Sequence, residues 1–266
     1  MFDSIAGDYD SLNHILSLDV DKIWRRRALK RIVDAPAPAR VLDLACGTGD
    51  FSIAIAKALS RSHKRVGTPI EAHVKAPAKV PVEAQVTSTG FVTGDSGRSD
   101  LMTKGHVTGV DLSEGMLAVM REKVAKAGLT EMISIEEGDG ENLRFPDNTF
   151  DRVTIAFGIR NFENREKGLR EMLRVLKPGG RLVILELSRP ENKIIRWFYD
   201  LYFLHILPKV GGKVSGDKAA YAYLPASVAA FPGKKAFMAT MREAGFRAVT
   251  HKAFTLGICR MYTGEK

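Results

Sequence analysis

The chain predicts an α/β fold in which helices cover both faces of a parallel sheet, and three observations carry that reading. Short apolar runs of strand type alternate with segments of helical period. The first two runs end in acids, Asp43 and Asp111. In the first, Val41, Leu42, Leu44 and Ala45 are what a strand buried on both faces of a parallel sheet requires.

Residues 2–33 read as two short helices. Phe2, Ile5 and Tyr9 share the spacing of the first, and the second runs from about Asp21 to Val33. Ala35-Pro36-Ala37-Pro38 ends that region. Val41, Leu42, Leu44 and Ala45 form the first strand, and Cys46-Gly47-Thr48-Gly49 the turn that follows. Asp50 is expected to cap the next helix, which carries Phe51, Ile53, Ile55 and Leu59 and ends near Ser60. Residues 61–105 have no sustained period and scatter Pro69, Pro77, Pro81, Gly90, Gly94 and Gly97. A helix-to-strand connection usually takes about 2–6 residues, so this stretch reads as an insertion, mobile or folded as a surface hairpin. Residues 106–111 are the second strand, and Ser113 caps a helix with Met116, Leu117, Val119 and Met120. A third strand, 133–137, leads to Gly138-Asp139-Gly140. A fourth, 150–157, leads to Gly158-Ile159-Arg160-Asn161-Phe162. The helix through Leu169, Met172, Leu173, Val175 and Leu176 stops at Lys177-Pro178-Gly179-Gly180. The fifth strand is 181–186.

With 266 residues, 45% of them hydrophobic, the chain can bury one substantial core, so 1–266 is read as a single domain. Cys46 and Cys259 offer neither a disulfide framework nor metal-ligand spacing, which fits a reducing, cytoplasmic setting and no metal. No stretch resembles a signal peptide or a bilayer span. The net charge of +9 suits a solvated basic surface, RNA, or the inner face of a membrane touched peripherally. Trp24-Arg25-Arg26-Arg27 with Lys30 and Arg31 is the densest basic cluster.

Ligands of parallel sheets sit outside the carboxyl ends of the strands. That rule gathers Asp43, the Gly47-Thr48-Gly49 turn, Asp111, Asp139, Gly140 and residues 157–161 onto one rim. A dinucleotide site would want G-x-G-x-x-G and a pyrophosphate on the helix N-terminus. Here Ser52 takes the third glycine's place and Asp50 puts a negative charge beside the phosphates. That pattern favours a cofactor without phosphates, bearing a cationic sulfonium and an amino-acid end. Asp111 is placed to accept both hydroxyls of a ribose.

From these segments the chain resembles the class I S-adenosylmethionine methyltransferases, in particular the quinone-biosynthetic C-methyltransferases. The resemblance rests on Phe2-Asp3-Ser4-Ile5-Ala6 with Tyr9-Asp10 and Asn13, and on Val41-Leu42-Asp43 through Asp50. Further segments are Phe145-Pro146-Asp147-Asn148-Thr149-Phe150-Asp151, Phe157-Gly158-Ile159-Arg160-Asn161, Arg174 through Gly180, and Tyr223-Leu224-Pro225-Ala226-Ser227. It implies a Rossmann-like sheet of seven strands, mostly parallel, whose last strand is antiparallel; 248–253 and 256–263 would complete it. It implies S-adenosyl-L-methionine as cofactor, with Thr48 and its glycines at the methionine part, Asp111 at the ribose and Asp139-Gly140 at the adenine edge. Ala156 stands where relatives often carry Ser. Residues 1–35 would form an N-terminal helical lid, and 190–232 a cap on the substrate side.

The implied reaction is C-methylation of a polyprenyl quinol, demethylmenaquinol before a ubiquinone precursor; a homodimer is compatible with it. Arg160, Asn161 and Tyr9 are the candidate catalytic residues. An arginine stays protonated below about pH 12 and is no simple base, so Arg160 is assigned to the developing phenolate or to a water, or else to a salt bridge holding the loop. His14 and His205 are alternative proton acceptors. The apolar stripe in 193–207 reads as core, a lipid-tail channel or a membrane-facing lid. Nucleic-acid methylation is disfavoured, because the fourth strand is followed by Gly-Ile-Arg-Asn rather than an N-P-P-Y motif and no Pro-Cys nucleophile is present. A non-catalytic module would not need Asp43, Asp111 and the glycines together.

Overall fold

The computed structural model describes residues 19–35, 39–66, 105–202 and 218–266, with backbone only for 62–66 and 218–222. The elements in chain order are α1 (Val20–Ile32), β1 (Arg40–Leu44), α2 (Asp50–Val66), β2 (His106–Asp111), α3 (Glu114–Lys126), β3 (Ile133–Glu137) and β4 (Phe150–Ala156). They continue with α4 (Arg165–Val175), β5 (Leu176–Leu187), α5 (Lys193–Leu201), α6 (Lys218–Ala230), α7 (Lys234–Glu243), β6 (Arg247–Phe254) and β7 (Cys259–Glu265).

Seven strands pair in the order β3-β2-β1-β4-β5-β7-β6. β1 through β5 are parallel, and β7 runs against both β5 and β6. Two apolar layers result from the pleat. Val41, Val107, Val183 and Leu185 face α1, α2 and α3 through Ala28, Phe51, Ile55 and Leu117. Leu42, Leu44, Val153 and Ile184 face α4 and α7 through Leu169, Met172, Phe237 and Met241. β1, β2 and β5 thus have buried apolar residues on both faces.

Three boundaries differ from the sequence reading. α2 extends to Val66, past the expected end near Ser60. β5 begins at Leu176, not Arg181, because Leu176 pairs with Phe150 and the register then slips before Arg152 meets Arg181. Lys177-Pro178-Gly179-Gly180 is thus a bulge inside a strand, with Gly179 at φ +74. β7 begins at Cys259, because Thr255–Gly257 forms a turn with Leu256 in a left-handed conformation. Most of the 61–105 insertion, together with Tyr9, His14 and His205, lies outside the described residues.

Successive strands run one way from β1 to β3 and the other way from β1 through β4 to β5. The crevice between the ends of β1 and β4 is therefore the switch point at which such sheets bind ligands.

Candidate active site

The chain leaves β1 at Ala45 (φ +49) and β4 at Phe157 (φ +63), both left-handed without being glycine. Such residues cost on the order of 1–3 kcal/mol each and persist only where the surroundings fix them. The surroundings here do so. Phe157 N–H donates to Leu185 O at 2.7 Å and Cys46 N–H to Val110 O at 3.1 Å. The Phe157 ring lies 6.2 Å from the Trp24 ring, with the Arg25 guanidinium 5.6 Å from its centre. Trp24 Nε1 in turn donates to Thr255 Oγ1 at 2.9 Å, tying α1 to the turn before β7.

The diverging ends open a cleft of about 460 Å³, lined by Asp111, Ser113, Met116, Asp139, Gly140 and Asn161 among others. Ala45, Gly47, Ala156 and Phe157 are shared with a second compartment of about 40 Å³, which Arg25, Asp43, Thr48 and Asp50 enclose. The larger part is walled by the ends of β2 and β3, the smaller by the glycine turn and α1.

Asp111 is oriented by the backbone on both sides. Gly47 N–H donates to its Oδ2 at 2.8 Å and Ser113 N–H to its Oδ1 at 2.9 Å. A carboxylate oxygen can accept more than one hydrogen bond, so both can also receive a ligand hydroxyl. Ser113 caps α3 as expected, accepting from Met116 N–H at 3.2 Å. Asp139 accepts from Glu141 N–H at 2.8 Å, which turns the loop so that Gly140 borders the cleft. A Cβ at Gly140 would lie 2.5 Å from the Phe162 ring, so this position holds only hydrogen.

Asp43 is buried and accepts from Ser52 Oγ at 2.6 Å. Burial pushes its carboxyl up to about 7, and Asp111 adds to the effect, while the Ser52 hydroxyl and Arg25 oppose it. Thr48 is buried in the turn, its hydroxyl accepting from Lys123 Nζ at 3.1 Å. Gly49 does not line either compartment. A Cβ there would lie 2.4 Å from Met120 Cγ, and its φ is +83, so it seats the turn on α3.

Asp50 requires a correction. It is the first residue of α2 rather than its cap, and its carboxylate lies 2.7 Å from Lys123 Nζ and 3.9 Å from Arg25 Nη1. Its charge is therefore largely compensated and would not by itself repel a pyrophosphate. The Asp111 carboxylate and the shape of the cleft are what fit a ribose-bearing cofactor here.

Arg160 and Asn161, adjacent in sequence, face different ways. Arg160 is buried, its guanidinium 2.9 Å from Glu186 Oε1 and also bonded to Phe157 O. Its backbone N–H donates to Glu186 Oε2 at 3.1 Å, and its Nε to Ser227 Oγ at 3.3 Å. It does not line the cleft, whereas Asn161 does. The salt-bridge alternative for Arg160 is the arrangement observed. Glu186, Ser227, Tyr223, Lys123 and the placement of Arg25 were not among the sequence-based candidates. Arg25 had a signal in the Trp-Arg-Arg-Arg cluster, but which of its arginines turns inward depends on how α1 docks.

The apolar stripe of α5 faces outward rather than into the core, with Ile194, Trp197 and Phe198 60–70% exposed and Tyr199 on the buried side. No described helix is long and apolar enough to cross a membrane.

Strand order, switch-point cleft and a strand-end carboxylate held by two backbone amides together define the Rossmann-like methyltransferase class. A solved S-adenosylmethionine-dependent methyltransferase from Aquifex aeolicus superposes with a TM-score of 0.54 at 19% identity, over 90% of this chain and 88% of that one, and shares the fold. Residues 1–266 match the ubiE/COQ5 methyltransferase family, and the chain belongs to it. The ubiquinone/menaquinone biosynthesis C-methyltransferase of Geobacter sulfurreducens is 43% identical over all of this chain and 87% of its own length. The demethylmenaquinone methyltransferase of Bacteroides fragilis is 39% identical over all of this chain and 91% of its own. The chain is accordingly an S-adenosyl-L-methionine-dependent C-methyltransferase.

Proposed function

We propose that this enzyme methylates a ring carbon of a polyprenyl quinol, demethylmenaquinol to menaquinol. The observation that supports this best is the rim itself: a cofactor-sized cleft open to Asn161, in a chain whose relatives bear names of quinone biosynthesis. Asp111 would hold the ribose hydroxyls, and Asp139-Gly140 would border the adenine. Gly47, Thr48 and Asp43 would surround the methionine part, with Arg25 facing its carboxylate from α1. When bound, S-adenosyl-L-methionine would supply an electrophilic methyl group to the ring carbon with neutral sulfur as the leaving group, and the methylated ring carbon would give its proton to water, restoring aromaticity.

The protein's part is to align the ring and favour phenolate character in the reacting quinol. Asn161 meets the substrate oxygen. Arg160, engaged with Glu186, acts through the loop it holds rather than as a base. Tyr9, outside the described residues, is proposed as a substrate contact on a lid.

The exposed α5 stripe, Ile194, Trp197 and Phe198, with Lys193, is proposed as the surface that meets the membrane holding such a substrate. Trp197→Glu with Phe198→Glu should then abolish co-flotation with anionic vesicles; flotation equal to wild type refutes the assignment. The functional reading is tested by anaerobic methyl transfer to paired short-tailed naphthoquinol and benzoquinol acceptors, with mass spectrometry of the products. Methylated naphthoquinol is expected. Transfer to neither acceptor overturns the reading, and transfer to the benzoquinol alone assigns the ubiquinone branch.

A further inference from the structure

Residues Tyr223 and Ser227 are four apart on α6 and so project from one side of that helix. They reach two consecutive residues of the loop after β4. Tyr223 Oη donates to Asn161 Oδ1 at 2.9 Å, and Ser227 Oγ accepts from Arg160 Nε at 3.3 Å. From the opposite side Glu186 of β5 accepts from the Arg160 backbone and guanidinium. Asn161 N–H donates to Gly158 O at 3.0 Å, closing the loop on itself. The loop is thus gripped between a strand and a helix, and Asn161 has one side-chain atom engaged and one to offer.

We propose that Tyr223 is a positioning residue for methyl transfer: by occupying Asn161 Oδ1, its hydroxyl turns the amide N–H2 of Asn161 into the cleft as a donor to an oxygen of the acceptor ring. Asn161 borders the cleft, and among the described residues nothing accepts from its Nδ2. With its oxygen turned toward Tyr223 the amide directs its N–H2 into the cleft, so the group it meets there is one that accepts. A hydrogen bond to an ionised oxygen is about twice as strong as one to a neutral oxygen, so this donor stabilises the ring oxygen most as it gains phenolate charge. Without the Tyr223 hydroxyl the amide is free to rotate, and its oxygen then repels that charge. The ligand class follows: a hydroxyarene methylated on carbon, whose hydroxyl oxygen carries negative charge in the transition state. This inference rests on the quinol reading above and adds the residue that orients its oxygen contact.

The test uses the full-length enzyme with Tyr223→Phe, Asn161→Asp and the double variant. Cofactor affinity by calorimetry reports the fold, and anaerobic kinetics use a short-tailed naphthoquinol. Tyr223→Phe should lower kcat by about 10- to 100-fold, with KM and cofactor affinity within about twofold of wild type. The acid limb of its kcat profile should move to higher pH, because less of the bound quinol ionises. Asn161→Asp should lose on the order of 100-fold or more, since a carboxylate replaces the donor. In that background Tyr223→Phe should cost nothing further, because its effect passes through Asn161. Wild-type kcat and pH profile in Tyr223→Phe, or an equal loss in the Asn161→Asp background, overturns the positioning role alone. A wild-type enzyme that binds cofactor but methylates neither quinol overturns this role and the functional reading together.

Discussion

Replacing Asp43 with Asn should stabilise the protein while weakening its hold on the cofactor, and both effects should depend on pH. The carboxyl lies on β1 one residue before its end, with 1% of its surface exposed, and Ser52 is the side chain that hydrogen-bonds it. Burial raises it from an ordinary 3.8 to about 7. Between those two values the unfolded chain has released a proton that the native chain still holds, so stability falls as pH rises through the window. Above pH 7 the full cost is present, on the order of 4 kcal/mol for a rise of that size. Single-site linkage between pH 5.5 and 8.5 gives a loss of roughly 2 kcal/mol. An asparagine keeps an oxygen to accept from Ser52 and never ionises. Urea unfolding of both proteins at the two pH values should therefore show the stability gap widening by roughly 2 kcal/mol in favour of the variant at pH 8.5. If Asp43 borders the cationic methionine end as proposed, calorimetry should show wild-type cofactor affinity rising from pH 6 to 8 as its carboxyl ionises, with a flat and weaker profile for Asp43→Asn. A stability gap independent of pH, or a variant less stable than wild type at pH 8.5, refutes the argument.

Asp111→Ala removes the acceptor of two backbone amides and the proposed acceptor of the ribose hydroxyls, and should weaken S-adenosyl-L-methionine binding at least tenfold (~1.4 kcal/mol) by calorimetry; an unchanged affinity rejects the assignment. Glu186→Gln leaves Arg160 buried with its countercharge gone and should cost about 3–5 kcal/mol in urea unfolding; a loss under 1 kcal/mol would mean that Arg160 finds water or another partner. Gly140→Ala drives a methyl group into the Phe162 ring, itself wedged against Gly168, and should cost about 1–3 kcal/mol and weaken cofactor binding. A variant with wild-type melting and affinity would show that Phe162 moves aside freely.

The parallel strands were legible because apolar runs alternate with helical periods and are punctuated by turns, and these are local signals. Asp43, Asp111 and residues 157–161 could be collected on one rim from that pattern alone, since parallel strands bring their carboxyl ends to the same side. The antiparallel β7 between β5 and β6 has no local signature, and here it came from the family resemblance. The bulge at Lys177-Pro178-Gly179-Gly180 was read as a boundary because glycine and proline punctuate sequences whether the chain stops or merely slips register. Whether Leu176 ends a helix or begins a strand is decided by its pairing with Phe150, twenty-six residues earlier.

Side-chain direction was the least legible part of the site, and Arg160 shows why. Its position on the rim follows from β4, yet its guanidinium is claimed by Glu186 on β5 and Ser227 on α6, which no spacing near Arg160 announces. Asn161, one residue on in a tight turn, projects to another side and keeps the cleft. Arg25 is the converse: a cluster of three arginines looks like a solvated face, until Trp24 docks on Thr255 and Phe157 and thereby fixes the phase of the helix. That docking also braces the left-handed backbone at Phe157, so the contact that supports the strained wall of the cleft is the one that turns Arg25 toward its smaller compartment. Helix docking, loop strain and ligand charge are therefore settled together, by contacts between α1, β4 and the turn before β7, segments far apart in the chain.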